Sequence, residues 1–364
     1  MKTFSDYSKI KKELLCYGIR IAKAAESCIQ QNNYYTNQNK SVHAAVFQLA
    51  DGSFVNATIN EEFTKTSPYL LNVCNNNLAL YKNGCFCSTI QMHTTPLWYK
   101  CLTSDGIRMN ELLSLHGSNT LAFTSHNSCR FKCDNEGCLF CSSNQGKDIP
   151  SLLQAKHLCE VLEQALKENP DYSLALSGGT RYGKDCGLIH FSEIVREVKK
   201  HFPNITISVE SVAPFDLVYI DTIIDAGVST LIMNLEFSDP IIRQKYCPGK
   251  SKISKELYYS AYQKAVVRLG PWNVSSVLIA GLEPISNTIN ESMKLIDCGV
   301  TPTIMPFRPY DKCTLRNHSV TNATILDEIE DALTSYLISK GIRIKKSYAC
   351  LNCNACIAID IFNN

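Results

Sequence analysis

The sequence has little that would take the chain out of water. Its most apolar stretch, Leu217 to Phe237, is interrupted by Asp221, Asp225 and Glu236, and so falls short of the roughly 20 continuous apolar residues that a membrane-spanning helix needs. The first residues, MKTFSDYSKIKKELLCYGIR, contain no apolar core of the kind that marks a secretory signal. These absences predict a cytoplasmic protein without a membrane span. An excess of charge of one sign is missing too. There are 36 Lys and Arg against 34 Asp and Glu, a net charge of +2, spread along the chain. That balance excludes the broad basic face of a general nucleic-acid binder. Low-complexity segments are absent, and no repeat is visible apart from an alternation of strands and helices. With 45% hydrophobic residues over 364 positions, the chain can bury a large core.

Cysteine is what the sequence has in excess, with eighteen residues. That is too dilute for a small disulfide scaffold and unusual for a reducing compartment. Their placement is more telling than their number. Cys129, Cys133, Cys138 and Cys141 share one loop; Cys350, Cys353 and Cys356 follow one another at two-residue gaps; Cys85 and Cys87 form a short pair. Tight, regular gaps favour one metal centre per group, since disulfide partners need no such local regularity.

From about Ser118 to Phe307, short β-branched runs alternate with segments of helical period, the pattern of repeated β/α units around a parallel sheet. The runs at 120–125, 172–176, 205–210, 230–236, 273–280 and 301–307 read as strands. Leu152, Ala155, Cys159, Leu162 and Leu166 mark a helix over 151–168, and Ile325, Ile329, Leu333 and Leu337 another over 324–340. The count predicts an α/β fold, a partial (β/α)6 barrel of TIM type in place of the full eight units. Residues 1–117 read as an accessory region, a helix from Asp6 to about Gln30 and then short strands around Gly52, Gly84 and Gly106. The barrel occupies 118–310, and 311–364 carry the last helix and a cysteine-rich tail.

The central cysteines lie in SHNSCRFKCDNEGCLFCSS, directly after the first barrel strand. The C-terminal ends of such strands carry the chemistry of barrel enzymes. Thiolates bind iron-sulfur clusters, and a [4Fe-4S] cluster held by three cysteines leaves one iron open. Zinc held by all four cysteines is the alternative. With Cys138 and Cys141 two residues apart and Phe140 before the second, the loop resembles that of the radical S-adenosylmethionine (SAM) superfamily, and is similar to its biotin synthase-like branch. The usual three-residue spacing would put the first ligand on Asp134, so this loop is lengthened and the first ligand is Cys129 or Cys133. Cys129 is preferred because it follows directly on the strand; Cys133 is the alternative.

The resemblance implies further residues. Ser177, Gly178, Gly179 and Thr180 stand where the superfamily has a Gly-Gly-Glu type turn that binds the SAM amino group, with Thr180 in place of Glu. An ordinary turn is the plain alternative, as glycines allow positive φ and close backbone approach. Glu210 and Glu236 end the third and fourth strands, where charges suit a barrel mouth better than a core. NLEFSDPIIRQKYCPGK resembles the segment in which an acidic and a following basic residue contact the methionine part of SAM, which nominates Glu236 and Arg243; an ordinary salt-bridged helix start is the alternative. VLIAGLEP, with Gly281 and Glu283, is similar to the adenine-contacting strand, and Phe307 and Arg308 are expected at the same mouth. His116 and His126 flank the first strand and read as surface or satisfied buried histidines.

The function implied is reductive cleavage of SAM at a [4Fe-4S] cluster to give a 5'-deoxyadenosyl radical that acts on a small-molecule or peptide substrate, with an electron donor such as flavodoxin or ferredoxin. The tail YACLNCNACI suggests a second iron-sulfur cluster with Cys313, Cys85 or Cys87 as fourth ligand, or with that position open, and hence sulfur insertion. A zinc knuckle is the alternative for the tail. Rearrangement, oxidation or peptide modification are the other substrate reactions, and a non-catalytic metal-binding protein is the other class.

Overall fold

The computed structural model describes residues 4–31, 43–92, 95–126, 128–143, 151–345 and 350–362. The expected N-terminal helix is two helices, Phe4–Tyr17 and Lys23–Gln31. Gly18 divides them. Its φ is +65°, and a Cβ there would stand 2.6 Å from the Thr58 carbonyl oxygen. Glycine is therefore required both by conformation and by space. Between the helices runs β1 (Arg20–Ile21), followed by β2 (Ala44–Leu49), β3 (Phe54–Thr58), β4 (Tyr69–Cys74), β5 (Asn77–Lys82) and β6 (Cys85–Met92). They form one sheet in the order β1-β4-β5-β6-β2-β3. The β5–β6 turn places Asn83 at φ +50° and Gly84 at +82°, the left-handed pair that a tight hairpin demands.

The second sheet comprises β7 (Ser114–His116), β8 (Thr120–His126), β9 (Ser173–Gly178), β10 (Ile207–Ser211), β11 (Thr230–Met233), β12 (Val274–Ala280) and β13 (Thr301–Pro306). Its order is β13-β12-β11-β10-β9-β8-β7. From β8 to β13 all neighbours are parallel, while β7 pairs antiparallel with β8. Sequential order with a crossover after every strand curls such a sheet toward a barrel, here a half barrel. The six strands expected for the barrel are all present, and β7 is an unforeseen addition at the edge; around Gly106 an isolated bridge between Leu102 and Arg108 stands in place of the expected strands. The run 230–236 is a strand only to Met233; beyond it Glu236, at φ +71°, keeps an isolated parallel bridge to Leu278. Helices Ser151–Glu168, Leu188–His201, Val218–Asp225, Lys255–Leu269 and Ile285–Asp297 alternate with these strands. One hydrophobic core runs through both sheets, including Leu15, Phe47, Leu121, Leu176, Leu231 and Ile304. No described helix is long and apolar enough to cross a membrane.

The C-terminal segment ties the two sheets together. The N–H of Ala358 donates to the Ile304 carbonyl of β13 at 3.1 Å, and the N–H of Asn56 in β3 donates to the Ala355 carbonyl at 2.8 Å. Both β13 and β3 are outer strands of their sheets, so the tail satisfies groups that an exposed edge would leave open. Lys11 Nζ reaches the Asn354 carbonyl at 2.6 Å, and the Asp360 N–H donates to Glu330 at 3.0 Å. Leu351, Ile357, Ile359 and Ile361 are buried beneath it. Ile359→Ala is expected to cost about 2–5 kcal/mol, the usual range for a buried Ile truncated to Ala. Urea denaturation followed by circular dichroism measures this; an unchanged midpoint would show that the tail is not part of the folded unit.

Candidate active site at the open end of the half barrel

Parallel strands put all their C-terminal ends on one side, and there the chain encloses a cavity of about 450 Å³, within the range of small-ligand sites. Cys129, Cys138 and Cys141 all line it, together with Ser177, Gly178, Gly179, Thr180, Glu210 and Glu236. Cys133 is exposed and is not among the lining residues. The reason is local. After β8 the chain makes a single helical turn, Arg130–Cys133, with Cys129 at its N-cap, so the first cysteine faces the cavity and the last is turned to solvent. The segment holding Cys138 and Cys141 is pinned by backbone bonds: Leu139 N–H to Tyr246 O at 2.9 Å, Leu315 N–H to Leu139 O at 3.3 Å and Gly249 N–H to Glu136 O at 3.0 Å. Phe140 packs edge-on to Phe237 at 5.9 Å. A hydrogen bond with Cys247 holds the Cys138 thiol below its ordinary range, whereas burial pushes the Cys141 thiol up. Among the described residues no three His, Cys, Asp or Glu side chains close on a single ion site.

The glycine pair proves to be a packing requirement. A Cβ at Gly179 would lie 2.2 Å from the Ser128 carbonyl oxygen and 2.8 Å from Cys129 Cβ, and one at Gly178 would lie 2.7 Å from the His126 ring. The turn thus presses directly on the cysteine loop. Two backbone bonds fasten it, Gly179 N–H to His126 O at 3.1 Å and Arg130 N–H to Thr180 O at 2.7 Å. His126 is buried, bonds the Gly179 carbonyl through Nε2 and meets Ser125 Oγ at 2.7 Å through Nδ1. His126 is thus the satisfied buried histidine expected, and its ring also lines the cavity.

Glu210 and Glu236 meet on the opposite wall. Asn234 Nδ2 donates to Glu210 at 2.6 Å, and burial raises the Glu210 carboxyl above its usual range despite that bond. Glu236 is held by its own backbone, its N–H on Val277 O at 3.0 Å and its carbonyl accepting from Ile279 N–H at 2.9 Å. Its side chain forms a buried ion pair with Lys250. Burial works against the charge on Lys250, but the carboxylate of Glu236 outweighs it and the ammonium is held well above its ordinary range. No periodicity in the sequence singles out Lys250, because a single short 3-10 turn, Lys250–Lys252, carries it to the cavity.

Three expected site residues are placed otherwise. Arg243, 2% exposed, donates to three carbonyls, Leu235 O at 3.2 Å, Ile253 O at 2.7 Å and Lys250 O at 2.9 Å, and stacks on Tyr258 at 5.1 Å. It therefore positions the turn that bears Lys250 and does not line the cavity. Gly281, at φ +101°, faces Thr321, whose Oγ1 would be 2.3 Å from an added Cβ. Glu283 accepts the N–H groups of Ser238 and Asp239 at 3.1 and 3.2 Å, which secures the start of the helix Pro240–Tyr246. Phe307 and Arg308 do reach the mouth, in a smaller recess that shares Phe140, Glu210, Asn234 and Glu236 with the main cavity. There the Arg308 guanidinium lies 5.3 Å over the Tyr310 ring.

The side chain of Cys350 lies outside the described residues, but Cys353 and Cys356 are placed beside the half barrel. Cys353 Sγ would be 2.7 Å from a Cβ on Gly117. The Cys356 sulfur accepts from Asn56 Nδ2 at 3.3 Å and from the imidazole of His116, a residue that lines the main cavity. Of the expected fourth ligands, Cys85 is exposed on β6 and Cys313 is close to Cys141.

Arg243→Met is expected to cost about 3 kcal/mol or more, because three buried carbonyls lose their donor, and to speed amide exchange across 247–253. Hydrogen-exchange mass spectrometry reads the second effect. Unchanged exchange there would assign Arg243 some role other than holding the turn.

No protein-family model matches the chain. The lipoyl synthase of Sulfolobus acidocaldarius is 24% identical over 201 residues, which are 54% of this chain and 65% of that protein, so the chain spans somewhat less than two thirds of its relative. Among solved structures, HydG, described as a maturase of the [FeFe]-hydrogenase, aligns over 63% of this chain and 52% of its own at 14% identity and TM-score 0.47. Coproporphyrinogen III oxidase (HemN) from Escherichia coli, described as a radical SAM enzyme, aligns over 61% and 53% at 15% identity and TM-score 0.41. The chain is thus similar over 201 residues to a lipoyl synthase, and it carries a cysteine loop at the end of a parallel strand with a glycine turn packed against it.

Proposed function

We propose that the chain is a radical SAM enzyme in which Cys129, Cys138 and Cys141 hold a [4Fe-4S] cluster and the cavity beside them holds SAM. The observation that carries this is the convergence of those three cysteines, the turn Ser177–Thr180 and the Glu236–Lys250 pair on one cavity at the strand ends. The donor set fits the group. Three thiols face the cavity while Cys133 is turned away, and three thiolates are what a cluster with one open iron requires. The cofactors supply one-electron reductive cleavage of a carbon-sulfur bond of SAM, giving methionine and a 5'-deoxyadenosyl radical that takes hydrogen from the substrate.

The chain's own residues bind, orient and exclude water. SAM carries both an ammonium and a carboxylate on its methionine part, and the buried Glu236–Lys250 pair offers a partner for each. The Gly179 carbonyl is already engaged by His126, and Ser177 and Gly178 pair with β8 as the end of β9, so the turn meets the amino group from a fixed backbone at the cavity wall. Arg243 keeps Lys250 in position through its backbone. Phe140, Ile279 and Phe307 make the recess wall apolar, and Arg308 beside them offers a planar fork for an anionic group of the substrate. An electron donor of flavodoxin or ferredoxin type completes the cycle. For the substrate reaction we infer sulfur insertion, supported by the second cysteine group beside the half barrel and by the likeness to a lipoyl synthase.

Two variant series test these readings. In anaerobically reconstituted protein with SAM and dithionite, Cys129→Ala, Cys138→Ala and Cys141→Ala should each abolish 5'-deoxyadenosine formation, and Cys133→Ala should retain most of it. Loss confined to Cys133→Ala, with Cys129→Ala active, would mean that the first ligand is misassigned. The triple Cys350, Cys353, Cys356→Ala protein should fold, keep its central cluster and still release 5'-deoxyadenosine slowly. Collapse of the fold in that variant would favour a structural zinc site, as closed metal sites contribute directly to folding.

A further inference from the structure

The recess of about 210 Å³ beside the main cavity has two unlike sides. Glu210, Asn234 and Glu236 belong to both spaces, whereas Arg308 and Tyr310 border the recess alone. Ile279, Met305 and Phe307 add apolar wall.

Arg308 is held in place without being paired. Its backbone is fixed on each side: the Phe307 N–H donates to Ala280 O at 2.9 Å, Thr321 Oγ1 donates to the Phe307 carbonyl at 2.9 Å, and the Tyr310 N–H donates to Arg308 O at 3.0 Å. Pro309 follows directly, which confines Arg308 to extended backbone. The guanidinium is half-buried and stacks on the Tyr310 ring, yet among the described residues no group accepts a hydrogen bond from it and no carboxylate pairs with it. Other arginines of the chain differ. Arg243 donates to three carbonyls, and Arg268 pairs with Asp221 and Asp225. A guanidinium that is partly desolvated and rigidly placed gains most from an acceptor that matches its planar pair of donors.

The recess also limits what that acceptor is. Arg308 is the one basic residue among its described lining residues, so a single negative charge is matched and a phosphate dianion is not. A carboxylate has that charge and the planar shape for two parallel bonds. Glu210 and Glu236 set its direction, since a carboxylate is attracted at Arg308 and repelled on their side. The apolar wall suits a hydrocarbon body, with a few polar groups fixing its orientation.

We propose that the recess is the substrate subsite and that the substrate is a small monocarboxylic acid with a hydrocarbon body, its carboxylate on Arg308 and its far carbons toward Glu210 and the main cavity. This rests on reading the main cavity as the SAM site. Hydrogen is then taken from carbons remote from the carboxylate and not from the carbon beside it, and Arg308 is the residue that selects acids.

The test uses the full chain, anaerobically reconstituted, with SAM and no reductant. The probes are the straight-chain acids from butanoate to octanoate and their primary amides, which keep the shape and lose the charge. Isothermal titration calorimetry gives the dissociation constants. At least one acid should bind about tenfold or more tighter than its amide, the size of a hydrogen bond to a charged group. Arg308→Gln should abolish that preference, and Arg308→Lys, which keeps the charge and loses the fork, should reduce it. Acids that bind no tighter than their amides, or a preference that survives in Arg308→Gln, would overturn the proposal. Should Arg308→Gln fail to fold, Arg308→Lys decides, and an undiminished preference there overturns it. The reading of the main cavity is tested separately, by 5'-deoxyadenosine formation in the native chain with SAM and dithionite. Its absence would sink that reading and this proposal with it; its presence together with acid and amide binding alike would sink the proposal alone.

Discussion

A parallel sheet that stops short of closure leaves two outer strands with unpaired backbone groups, and the rest of this structure is arranged around that constraint. The last residues of the chain bond to β13 through Ala358 and to β3 through Ala355, joining the half barrel to the N-terminal sheet. A residue near each end of the sequence meets in this joint, as in the contact of Lys11 with Asn354 and of Lys12 with Asp327 and Glu330. The gap in the barrel is therefore filled by a segment rich in cysteine. What would be an aggregation-prone edge is thereby covered by the chain's own C-terminal segment.

Close packing also governs the first cysteine group. Gly178 and Gly179 let the second strand's turn lie against His126, Ser128 and Cys129 with no room for a methyl group. The position of Cys129 thus depends on two glycines almost fifty residues away. On the other wall, Glu236 adopts a left-handed φ of +71°, and bonds to β12 on both sides of its peptide sustain that conformation. Strain held by surrounding structure is common where a side chain must point into a site.

Burying Glu236 with Lys250 opposes stability, since the desolvation of two charges can exceed their attraction. In the function proposed above, the pair is preorganised for a ligand that carries both charges. Arg243 contributes to the same end from outside the cavity. By holding the Leu235, Lys250 and Ile253 carbonyls at once, it ties the two ends of the loop that presents the ion pair.

By itself the sequence determined the elements. The strands from Thr120 to Pro306 and the helices Ser151–Glu168 and Thr324–Lys340 follow from local period and β-branched composition, which each segment carries within itself. The grouping of the cysteines was legible for the same reason, as a spacing within one loop or tail. What joins distant segments was decided only by tertiary structure. Gly18 split the first helix because Thr58 lies against it, a contact that no window around residue 18 contains. Lys250 and not Arg243 lines the cavity, because a 3-10 turn of three residues, too short to show a period, carries it there. The end of β7 and the C-terminal segment, 236 residues apart at Gly117 and Cys353, meet because the sheet does not close and the tail covers the opening.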